Sequence, residues 1–100
     1  MKFSNNIPIY IQIANDIIEK IIRDEYKKGE KLLSVREYSI MLKVNVNTVR
    51  SAYSELEKRN IIFKKRGIGT FVTEEENIIK KLKEELSLKV VSDFISKMDA

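Results

Sequence analysis

The 100-residue sequence contains no cysteine, no histidine and only one proline. Without cysteine there are no disulfides and no thiol chemistry, which fits a cytoplasmic location. Losing histidine as well removes the Ser-His-Asp triad, the Cys-His pair, the zinc finger and the ordinary zinc site. Catalysis by carboxylates alone would need two acids paired in a pocket, and the acids here fall at helix-surface positions. An enzyme is therefore disfavoured, and no cofactor or metal is expected. There is also no run of roughly 18 apolar residues, so no transmembrane helix and no membrane partner are expected. The N-terminal segment leads into a helical pattern holding Gln12, Asn15 and Asp16 rather than into a signal-peptide core.

What is present is 43% hydrophobic and 34% charged, enough for one small core in a soluble chain. A domain of this size buries a modest fraction of its surface, so a second subunit would add useful apolar burial. The net charge is +4. Residues 1–73 hold 14 Lys and Arg against 8 Asp and Glu, and residues 74–100 hold 5 against 7. The positive field thus belongs to the first part, a hint of a polyanionic partner.

Pro8 precedes Ile9, Tyr10, Ile13, Ile17, Ile21 and Ile22, which lie on one face of an amphipathic helix with Pro8 in its first turn. Lys28-Gly29 is read as its end, and Glu30-Lys31-Leu32-Leu33 as a short extended connection. Ser34-Val35-Arg36-Glu37 is a capping box that opens a second helix burying Val35, Tyr38, Ser39 and Leu42. After a tight connection at Lys43-Val44, Asn45 caps a third helix with Val49, Ala52, Tyr53 and Leu56 inside, closed by Asn60. Residues 61–66 and 70–72 are β-prone runs around Gly67-Ile68-Gly69, a hairpin with Lys64, Lys65 and Arg66 near its tip. Thr73-Glu74-Glu75-Glu76 is read as a second capping box. The helix it opens carries Ile79, Leu82, Leu86, Val90, Phe94 and Met98 on one face, widened by Val91 and Ile95.

The predicted fold is mainly α with a small β-hairpin, a winged helix-turn-helix over residues 1–73 followed by a C-terminal helix over 74–100. In such an arrangement the second helix braces, the third enters the major groove and the hairpin tip reaches a neighbouring groove.

Four ordered blocks also resemble a known family. They are Pro8-Ile9-Tyr10-Ile11-Gln12-Ile13, Lys28 through Glu37, Val44 through Tyr53, and Arg66-Gly67-Ile68-Gly69-Thr70-Phe71-Val72. Together they are similar to the N-terminal domain of GntR-type transcription repressors. The departures are Leu33 and Val46, where the family usually has proline and a base-reading arginine, and Lys43 and Asn60, where it usually has glycine. The resemblance implies sequence-specific binding of a double-stranded operator and repression of a nearby operon.

Each candidate contact has an inert reading beside it. Arg36 resembles the family's DNA-contacting arginine, or else makes a surface ion pair with Glu37 or another acid. Arg50 is placed to take guanine O6 and N7 or a phosphate, or is a solvated helix charge. Asn47 and Thr48 project at a helix start, where amides also favour phosphate, or serve local capping. Asn45 is both cap and phosphate neighbour. Val46 offers only an apolar contact, such as a thymine methyl, or fills surface. Lys64, Lys65 and Arg66 beside Gly67 suit groove or backbone contact, or form a solvated edge. Tyr10, Tyr38, Tyr53, Phe63 and Phe71 are expected in the core.

Residues 74–100 are too few for the metabolite-binding domain of larger GntR regulators, so the chain looks like the short YtrA-like branch. There the C-terminal helices pair two subunits. The stripe Ile79, Leu82, Leu86, Val90, Phe94 and Met98 is accordingly expected to make a homodimer, its inert reading being packing against the chain's own first helix. Members of that branch usually carry a further short helix, whereas this sequence stops at Asp99-Ala100; a shortened end is one reading. The residues name no small-molecule effector. The alternatives to DNA binding are an interaction module on a winged-helix fold, which would usually lose the basic wing, and a carboxylate enzyme.

Overall fold

Pro8 opens the first helix from just outside it: its carbonyl accepts from the N–H groups of Ile11 and Gln12 at 3.1 and 3.2 Å. In the computed structural model, which describes residues 3–86, α1 runs Ile9–Ile22 and buries Ile13, Ala14, Ile17 and Ile21 at helical spacing. It ends well before Lys28-Gly29, the expected terminus. Asp24 turns left-handed at φ 61°, and the Lys20 carbonyl takes the N–H groups of Glu25 and Tyr26. A short polar side chain tolerates that conformation better than most, so no glycine is needed there. Gly29, at φ 75°, makes a second turn that carries the chain back to the sheet.

The Ser34 capping box forms as expected and starts α2, Val35–Leu42. The Ser34 Oγ accepts from Glu37 N–H at 3.0 Å, and Glu37 Oε1 accepts from Ser34 N–H at 3.1 Å. Tyr38 and Ser39 are buried, while Val35 and Leu42 are half-buried. Lys43 closes α2 at φ 57°, a left-handed residue with a full side chain. Asn45 then caps α3, Val46–Lys58, its Oδ1 accepting from Asn47 N–H at 2.7 Å. Asn60 terminates this segment at φ 59°. The third helix packs on both others and buries Val49, Ala52, Tyr53 and Leu56. Tyr53 and Tyr38 meet edge to face, and the Tyr53 hydroxyl donates to the Leu33 carbonyl at 2.6 Å.

The hairpin pairs β1, Ile62–Lys65, with β2, Gly69–Val72, in the register Ile62 to Val72 and Lys65 to Gly69. The connection expected to be merely extended becomes a third partner. Lys31 bridges Phe71, Leu32 N–H donates to the Thr70 carbonyl at 2.8 Å, and Val72 N–H donates to the Glu30 carbonyl at 2.9 Å. Both sides of β2 are therefore covered.

The second capping box does not form. Thr73 Oγ1 accepts from Glu75 N–H at 3.1 Å, but the Thr73 N–H is spent on the Ile61 carbonyl. With that donor taken, Glu76 turns to Lys28 instead. Residues 76–86 form α4, within which Leu82 is buried and Ile79 half-buried against the same core as α1 and α3. Further contacts tie it down: Lys83 pairs with Asp24 at 3.6 Å and Glu85 with Arg59 at 3.7 Å. Leu86 stays 39% exposed. Val90, Phe94 and Met98 lie outside the described residues.

Candidate nucleic-acid interface

Arg36 occupies the second position of α2, held there by the capping box on one side and by Ser39 Oγ donating to its carbonyl at 2.7 Å. Its side chain is exposed, and the pairing with Glu37 does not form. Glu37 is committed instead to Ser34, whose backbone N–H, then its hydroxyl, holds the carboxyl below its ordinary value; nearby Lys31 adds to this. A guanidinium with no internal partner at a helix start is well placed for phosphate.

On α3 the exposed residues Asn47, Arg50, Ser51, Ser54 and Lys58 recur at helical spacing, opposite the buried face. Arg50 donates to Asn47 Oδ1 one turn back. Asn45 is exposed and carries the cap; Val46 and Thr48 are half-buried. A shallow groove of about 560 Å³ runs beside this stripe, between it and Tyr10 of α1. Tyr10 is half-buried there, and Tyr38 and Tyr53 are the tyrosines that lie in the core.

The wing tip is Arg66-Gly67-Ile68. Ile68 N–H donates to the Lys65 carbonyl at 2.9 Å, which puts Gly67 at the third position of the turn with φ 78°. That position takes glycine in a type II turn. A Cβ on Gly67 would meet nothing within 4 Å, so the backbone here is open to close approach. Lys64, Lys65 and Arg66 are all exposed. Phe63 and Phe71 stack across the strands at 5.7 Å, half-buried on one face, and Lys65 Nζ sits 5.2 Å from the Phe71 ring centre. Lys65 is therefore steadied against its own wing, while Lys64 alternates to the other face.

Among the described residues, none of Arg36, Arg50, Lys64, Lys65 and Arg66 pairs with an acid, whereas Lys20, Arg23, Lys28, Arg59 and Lys83 all do. The same residues include no cluster of three His, Cys, Asp or Glu that would hold a metal ion. One further exposed cation belongs beside the wing and does not stand out in the sequence. Lys31 reaches it through the strand pairing with Phe71, a non-local contact that the alternation of Lys31, Leu32 and Leu33 only hints at.

Comparison with known proteins agrees with this fold. The chain is 42% identical over 97 residues to the HTH-type transcriptional regulator YhcF of Bacillus subtilis, covering 97% of this chain and 80% of YhcF. It is 43% identical over 70 residues to the HTH-type transcriptional repressor YtrA of the same organism, covering 70% of this chain and 54% of YtrA. A solved GntR family transcriptional regulator from Listeria monocytogenes superposes with a TM-score of 0.91 at 40% identity, covering 97% of this chain and 85% of the other. These relatives are regulators of transcription, not enzymes. Residues 9–72, which hold α1, α2, α3 and the wing, match the bacterial regulatory proteins of the gntR family, and the chain belongs to that family of DNA-binding transcription regulators.

Proposed function

We propose that the chain is a cytoplasmic repressor that binds an inverted-repeat operator as a homodimer. The observation that carries this reading is that every Lys and Arg of α2, α3 and the wing is exposed and, among the described residues, pairs with no acid. Arg36 and the start of α3 grip phosphates and place α3 in the major groove. Arg50 and Asn47 read base edges there, with Thr48, Asn45 and Val46 alongside. Lys64, Lys65, Arg66 and Gly67 engage the neighbouring groove. YtrA is named a repressor, as is the arabinose metabolism repressor of Geobacillus stearothermophilus, which is 33% identical over 93 residues.

In this reading residues 1–73 are the DNA-binding domain and 74–100 the dimerisation helix. Ile79 and Leu82 anchor α4 to its own domain, and the exposed Leu86 begins the stripe that continues in sequence through Val90, Phe94 and Met98. A two-fold dimer imposes its symmetry on the operator.

Titrating a mixed-sequence duplex with the protein at several salt concentrations, with the mass determined alongside, tests the reading. It expects a dimeric mass and binding that weakens steeply with salt. Absence of binding even at low salt would overturn the DNA reading, and a monomeric mass at the binding concentrations would overturn the dimer.

A further inference from the structure

We infer that Lys31 is a phosphate-binding residue that joins the helix-turn-helix to the wing, an inference that rests on the DNA reading above. Lys31 is exposed and has no acid partner among the described residues. Its backbone is fixed on both sides, because Val72 donates to the Glu30 carbonyl and Leu32 donates to the Thr70 carbonyl. The bridge to Phe71 puts its side chain on the same face as Phe71, Phe63 and Lys65. The stem then lies across Gly69: a Cβ at that glycine would stand 2.7 Å from Lys31 Cε and 3.5 Å from its Nζ. Glycine at position 69 therefore leaves the track along which the lysine crosses the wing.

Lys31, three residues before the Ser34 cap, is also near enough to Glu37 to favour that carboxylate's charge. Glu37 is next to Arg36, and Gly69 is two residues from Gly67. Lys31 thus stands between the two ends of the candidate interface, where one cation serves two purposes. It offsets the Glu37 charge that would otherwise repel a phosphate held by Arg36, and it supplies a flexible ammonium to the backbone between the groove positions of α3 and the wing. Such a contact carries no base information, so its effect is uniform across sequences.

The test compares the parent protein with Lys31→Gln and Lys31→Arg, titrating fluorescently labelled random-sequence and selected duplexes across about 50 to 200 mM salt. Lys31→Gln is expected to weaken binding to both duplexes about fivefold at low salt and to reduce the salt slope by about one. Lys31→Arg, which keeps the charge, is expected to match the parent. Unchanged affinity and slope in Lys31→Gln, or a loss confined to the selected duplex, would overturn the inference while leaving the DNA reading standing. Failure of the parent itself to bind either duplex would overturn the DNA reading instead.

Discussion

The Arg50 guanidinium donates to Asn47 Oδ1 across one turn of α3, so the two side chains best placed to meet a base edge hold each other in the free protein. Their pairing orders Arg50 outward from the buried face. Replacing Arg50 by alanine is expected to weaken operator binding by about 1–3 kcal/mol. The exposed position predicts an unchanged fold. Binding isotherms and circular dichroism on the same variant check both; parental affinity would mean that α3 docks differently.

Lys43 holds the left-handed turn between α2 and α3 at φ 57°. A side chain there costs about 1 kcal/mol that glycine would not. Lys43→Gly is therefore expected to raise the thermal midpoint by ~4–8 °C for a domain of this size. A midpoint that is unchanged or lower would show that the turn is unstrained or that Lys43 makes an offsetting contact.

The Ser34–Glu37 box starts the helix that carries Arg36. Ser34→Ala is expected to cost about 1 kcal/mol at neutral pH. Glu37 has its pKa lowered in the folded state, so its share of the stability is present above the ordinary carboxylate value. That share is lost as pH falls through the folded value. The penalty of Glu37→Ala, which removes the carboxylate that Ser34 N–H donates to, should accordingly shrink under acid conditions; denaturant unfolding at neutral and acid pH measures it, and a penalty independent of pH would contradict the assignment.

These local features were the legible ones. A cap joins residues only two to four apart, which is why Ser34, Asn45 and Asn60 are legible in the sequence. The inner faces of α2 and α3 and the Gly67 turn were legible for the same reason. The misreadings share a different cause. The end of α1 moved because Asp24 took a left-handed turn without glycine or proline to mark it. Thr73 failed as a full capping box because a distant carbonyl, that of Ile61, claimed its N–H. Lys31 is not legible because its place beside the wing depends on pairing with Phe71, forty residues on.

The last described helix separates two apolar roles. Leu82 is 6% exposed and belongs to the domain core, so Leu82→Ala is expected to lower stability by about 2–3 kcal/mol whatever the protein concentration. Leu86 is largely outside that core, so Leu86→Glu is expected to weaken self-association while leaving the domain folded. Unfolding curves and sedimentation of the two variants distinguish these outcomes; a Leu86→Glu protein that remains as dimeric as the parent would remove Leu86 from the interface.

The central claim is a dimer that reads two half-sites through α3 and the wing. Selection of bound duplexes from a random pool at near-physiological salt, followed by sequencing, tests it most directly. Enrichment of an inverted repeat with half-sites one helical turn or a multiple apart is the predicted result. Recovery of no motif, with only weak salt-sensitive binding, would contradict it.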